Sequence, residues 1–80
     1  MTTIEILREW MATELKSKVR ELAPADSLLE AGVLDSMAIV KLISFLEDRF
    51  GVQLTDDEFD PDNFETLTAI EALVEKKRSS

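Results

Sequence analysis

Leu34-Asp35-Ser36-Met37-Ala38-Ile39-Val40-Lys41-Leu42-Ile43-Ser44-Phe45-Leu46-Glu47-Asp48-Arg49-Phe50-Gly51-Val52 is the stretch that decides the fold. Ile39, Ile43, Leu46 and Phe50 recur at helical spacing, and Met37, Val40, Leu42 and Phe45 widen that stripe. The pattern predicts a helix over 36–50. A helix apolar over so much of its circumference is either central in the fold or partly given to contacts. Asp35 is the expected N-cap, its carboxylate placed to accept from the N–H of Met37 or Ala38. Gly51 falls where a left-handed residue ends a helix, and Val52 can pack back over that end. Ser36 then stands in the first turn, where free N–H groups and the helix dipole both favour a phosphate.

The segments on either side also read as helix. Thr2-Thr3-Ile4-Glu5 has the form of a capping box. Ile4, Leu7, Met11, Leu15, Val19 and Leu22 then make one apolar stripe, which predicts a long first helix over 3–22. Trp10 flanks the stripe as a large side chain closing the core edge. Lys16, Lys18 and Arg20 suit its negative end, and Ala23-Pro24 ends or follows it. Residues 24–35 form a long loop, pinned by Leu28, Leu29, Val33 and Leu34, in which Gly32 supplies backbone freedom. Thr55-Asp56-Asp57-Glu58 has the form of a second capping box, opening a short third helix over 56–60 that Asp60-Pro61 closes. Thr66 caps a last helix over 66–77, with Leu67, Ile70, Leu73 and Val74 on its buried face. No segment alternates long enough to make a sheet. The expected class is all-α, a small four-helix bundle with a long first loop and a short third helix, in one domain over 1–80.

Composition removes whole classes of function. The 80 residues include no His and no Cys. Ser36 therefore has no conventional base to activate it, and Asp35, committed to backbone N–H groups, is no substitute. No catalytic residue is assigned. Zinc lacks its usual ligands. An EF-hand over 56–67 fails, because Pro61 holds the glycine position and Leu67 stands where a bidentate Glu is required. No metal is expected.

The net charge is −8, and residues 35–65 hold nine acids against Lys41 and Arg49. Nucleic acid is excluded as a partner, since its phosphates need basic surface. Basic partner proteins suit the acidic half, although acids also keep a small domain soluble. The N-terminus has neither the basic start nor the apolar run of a signal peptide, and no run is long enough to span a membrane. A soluble, cytoplasmic, monomeric protein is the expectation.

The pattern as a whole resembles the acyl carrier protein family. Leu34-Asp35-Ser36-Met37, then Ile39, Val40, Leu42, Ile43 and Leu46-Glu47, then Arg49-Phe50-Gly51-Val52 carry the resemblance. The order of helices extends it over nearly the whole chain. It implies a carrier with no turnover of its own. The serine matching Ser36 would receive 4′-phosphopantetheine from coenzyme A through a phosphopantetheinyl transferase, with Asp35 positioning the site. The arm's terminal thiol would hold an acyl or aminoacyl thioester, which accounts for the missing cysteine. Implied partners are an adenylating acyl or aminoacyl ligase or an acyltransferase, and a downstream synthase or transferase. Met37, Lys41, Glu47, Asp48, Asp56 and Asp57 are the candidate partner contacts, while Ile39 and Val40 are read as nearer to core.

This chain also departs from carriers of general fatty acid synthesis. Met37 follows the serine where Leu is usual, Ala38 stands where an acid is common, and Lys41 adds a positive charge. The Leu-Asp-Ser-Met string looks more like D-alanyl carrier proteins and stand-alone carriers of specialised biosynthesis. The other reading is a carrier-like interaction module that bears no cofactor.

Overall fold

The computed structural model describes residues 2–15 and 21–78. It contains α1 (Thr3–Glu14), α2 (Ser36–Phe50) and α3 (Leu67–Arg78), with two 3-10 turns, Asp56–Glu58 and Pro61–Phe64, between the last two helices. No strand occurs among the described residues. The all-α class stands.

Helix α1 starts as its sequence predicts: the Thr2 hydroxyl accepts from the Glu5 N–H at 3.2 Å. It ends earlier than the stripe suggests, at Glu14, with the Leu15 N–H donating to the Met11 carbonyl at 3.0 Å. A helix running on to residue 22 would carry Leu22 about 21 Å along the axis from Arg8. Instead the Arg8 guanidinium donates to the Leu22 carbonyl at 2.8 Å, so the chain has turned back by then. Val19 and the basic residues Lys16, Lys18 and Arg20 lie outside the described residues. Leu22 still packs against the core, but from the loop.

The short third helix resolves into two turns. In the first, the Glu58 carboxylate accepts from both the Thr55 N–H (2.9 Å) and the Thr55 hydroxyl (3.1 Å). Asp60-Pro61 does more than close it. Proline forces the preceding residue out of the helical region, and Asp60 is extended at ψ 131°. Pro61, with no N–H to lose, then opens the second turn, and the Asp60 carboxylate accepts from the Asp62 N–H at 2.9 Å. Thr66 caps α3 as expected: its hydroxyl accepts from the Ala69 N–H at 2.9 Å.

One apolar cluster joins these elements. Leu7, Met11, Leu28, Leu42, Leu46, Phe64, Leu67 and Ile70 are fully buried in it. Burying each leucine stabilises the fold by roughly 1.5–3 kcal/mol before entropy is counted. The inward face of α2 is rotated from the expected stripe. Ala38, Leu42 and Leu46 are its buried residues, while Ile39, Ile43 and Phe50 are half-buried beside them. Val40, read from sequence as core, is 63% exposed. It lies on the far side of the helix from the line joining Ala38, Leu42 and Leu46.

Candidate functional site

The chain enters α2 under firm control. The N–H groups of Val33 and Leu34 both donate to the Leu28 carbonyl, at 2.9 and 3.2 Å. Leu28 in turn donates to the Glu65 carbonyl at 2.6 Å, just ahead of α3. Pro24 is held similarly, its carbonyl accepting from the N–H and the hydroxyl of Thr68 at 3.1 and 3.2 Å. Gly32 takes the left-handed conformation at φ 75° that this tight path needs. Val33 and Leu34 are buried, so the backbone that delivers Asp35 and Ser36 is packed down on both counts.

Asp35 is the N-cap, and the open choice of donor is decided: its carboxylate accepts from the Ala38 N–H at 2.8 Å. Its carbonyl accepts from Ile39 at 2.9 Å. The N–H groups of Ser36 and Met37 are left without an intrahelical acceptor, as in the first turn of any helix. Ser36 itself is exposed at the first helical position. Met37, beside it, is 70% exposed. The arrangement fits a phosphate ester on Ser36: an accessible hydroxyl, two unspent backbone donors, and the positive end of a fifteen-residue helix. Asp35, Ser36 and Met37 are thus brought together.

The other expected contact residues are distributed along the surface. Lys41 and Asp48 are exposed and line one groove beside α1, together with Trp10 and Phe45. Glu47 is half-buried, and its carboxylate accepts from the Leu54 N–H at 3.2 Å, which ties the end of α2 to the following segment. Its carbonyl accepts from Gly51, left-handed at φ 66°. Asp56 and Asp57 are exposed on the first 3-10 turn. The neighbouring Glu58 faces α3, where Lys77 lies 2.9 Å away. The Thr55 N–H and the Lys77 ammonium lower its pKa from 4.5 to about 2, against the opposing effect of burial. Val40 is the surface residue the apolar periodicity missed. Apolar spacing alone does not mark it, because packing sets the Ala38–Leu42–Leu46 line.

Among the described residues, no cluster of His, Cys, Asp or Glu could hold a metal ion. No described helix is long and apolar enough to cross a membrane.

Residues 5–74 match the family described as the phosphopantetheine attachment site. The chain is 35% identical to the D-alanyl carrier protein of Streptococcus sanguinis over 77 residues, 96% of this chain and 91% of that protein. The same figures hold for the D-alanyl carrier protein of Streptococcus gordonii. The D-alanyl carrier protein of Leuconostoc mesenteroides is 42% identical over 50 residues, 62% of this chain and 64% of that protein. With a family match over most of its length and two relatives aligned over 96% of it, the chain belongs to the phosphopantetheine-attachment family of carrier proteins, as a non-catalytic acyl or aminoacyl carrier with covalently bound 4′-phosphopantetheine.

Proposed function

We propose that Ser36 is the residue that bears the arm, and that the chain shuttles an acyl or aminoacyl thioester between separate biosynthetic enzymes. The observation that carries this reading is the exposed Ser36 at the first position of α2, behind a buried Leu34 and an Asp35 cap. Attachment forms a bond from the Ser36 oxygen to the phosphorus of the phosphopantetheine half of coenzyme A. The bond from that phosphorus to the adenosine bisphosphate half breaks, and the hydroxyl proton passes to the transferase. When bound, the arm supplies a thiol that holds cargo as a thioester.

The chain's own residues give the site its form. Asp35 fixes the helix start, the N–H groups of Ser36 and Met37 face the phosphate, and exposed Met37 flanks the arm. Met37, Lys41, Asp48, Asp56 and Asp57 are partner contacts, with Glu47 as a border residue. Loading comes from an adenylating ligase or an acyltransferase, and unloading from a downstream synthase or transferase. The likeness to D-alanyl carrier proteins favours an aminoacyl cargo. Lys41 and Met37 favour a specialised pathway, because they alter the charge and shape beside the arm. Residues 1–80 act as one monomeric carrier domain in the cytoplasm, where coenzyme A and ATP are at hand.

The test is the intact mass after incubation with coenzyme A, magnesium and a broad-specificity phosphopantetheinyl transferase, with Ser36→Ala alongside. We expect a gain of one phosphopantetheine, absent in the variant. A folded sample that gains nothing would sink the reading and leave a cofactor-free interaction module with Ser36 as part of a helix cap.

A further inference from the structure

We propose that the groove floored by Trp10 and Phe45 is a resting site for the phosphopantetheine arm. The proposal rests on the reading that Ser36 carries the arm. Three observations lead to it.

The side chains next to Ser36 on the inward face of α2 are buried. Leu34 is 3% exposed and Leu42 is fully buried, with Ala38 packed between them on the inward face of α2. Ser36 itself is exposed, so the arm starts on the surface. One stripe of that surface runs from the neighbour of Ser36 into a groove. Met37, Lys41, Ser44 and Asp48 follow one another at spacings of four, three and four, which keeps them on one side of the helix. Lys41, Ser44 and Asp48 line the groove with Trp10, Phe45 and Arg49, and its volume is about 530 Å³.

The chemistry of the groove matches an arm of alternating methylene and amide groups. The floor is aromatic: Trp10 stacks on Phe45 with ring centroids 4.9 Å apart and 18° between the planes. Phe50 meets Phe45 edge-on at 6.4 Å. The rim offers the Ser44 hydroxyl, the carboxylates of Glu14 and Asp48, the Lys41 ammonium and the Arg49 guanidinium to amide groups. Apolar floors with a few polar groups are what small-molecule sites share.

The reach also agrees. Phe45 is nine residues beyond Ser36, so about 13–14 Å along the helix axis. From phosphate to sulfur the arm has about a dozen bonds, as many as about four peptide residues, and so extends roughly 14 Å. Its thiol end arrives at the aromatic pair.

The sequence supplies two probes. Trp10 is the one tryptophan, and with no cysteine in the chain the arm's thiol is the one thiol of the holo-protein. The experiment compares apo- and holo-protein by nitrogen-15 NMR, then places a nitroxide on the arm's thiol. Attachment is expected to shift the Trp10 indole N–H and the amides of Ser44 and Phe45, and the nitroxide to remove most of the Trp10 indole signal. Ser44→Arg, at an exposed helical position, fills the groove and is expected to return Trp10 to its apo position with the arm still on. Shifts confined to residues 35–40 with Trp10 unmoved overturn the proposal. So does broadening centred on the groove of Asn63, Ala72 and Lys76 on the α3 side. Mass spectrometry of the same sample separates the two readings. A chain that takes up no arm overturns the Ser36 assignment and this proposal with it, whereas an arm taken up without a change at Trp10 overturns only the groove.

Discussion

The Lys77 ammonium lies 2.9 Å from a Glu58 oxygen that also accepts from the backbone N–H and the hydroxyl of Thr55. One carboxylate thus closes the first 3-10 turn and ties it to α3. Because the folded state lowers the pKa of Glu58 from 4.5 to about 2, its stabilising contribution is complete above about pH 4.5. It is lost as pH falls towards 2. Glu58→Gln is expected to lower the melting temperature at pH 7, with the gap to the wild type closing between pH 4.5 and 2. Thermal melts across that range check it, and a gap independent of pH contradicts it.

The Asp35 cap predicts a split between two substitutions. Asp35→Ala removes the acceptor of the Ala38 N–H and is expected to cost about 0.5–2 kcal/mol in urea unfolding. Asp35→Asn keeps an oxygen at the same place and should recover most of that loss. If both variants are equally unstable, the cap hydrogen bond is not what Asp35 contributes.

Opposite sides of α2 should respond differently to truncation. Leu42→Ala empties a fully buried site and is expected to cost about 2–5 kcal/mol. Val40→Ala, at a 63% exposed site, should stay within about 0.5 kcal/mol of the wild type. Equal losses would return Val40 to the core.

Gly51 holds a left-handed conformation at φ 66°, and a Cβ there would meet nothing within 4 Å. Gly51→Ala is therefore a test of backbone strain without a clash, with an expected cost of about 1–2 kcal/mol. Gly51→Asn should cost less, since asparagine tolerates this region better. Chemical denaturation of the two variants gives the comparison.

Lys41→Glu reverses a charge at an exposed position of α2. It is expected to change the loading rate with the cognate ligase or acyltransferase while leaving the melting temperature nearly unchanged. Equal loading kinetics in the two proteins would remove Lys41 from the partner surface.

Local signals made much of this protein legible from its sequence. Asp35 at one end of α2 and Gly51 at the other bracket the helix, because caps act through hydrogen bonds within three or four residues. Thr2, Thr55 and Thr66 mark starts for the same reason. The neighbours of Ser36 mark it in the sequence, and the absence of His and Cys bounds its chemistry. Tertiary structure decided what depends on partners far along the chain. The stripe from Ile4 to Leu22 predicts a longer α1, yet the bond from Arg8 to Leu22 needs the chain to turn back. Asp60-Pro61 proved to be a junction of two turns, the second of which sends Phe64 into the core. The rotation of α2, which buries Ala38 and leaves Val40 and Met37 outside, follows from the one apolar cluster that it shares with Leu7, Phe64 and Ile70. Periodicity says that a helix has an apolar side; only the packed neighbours say which residues lie at its centre.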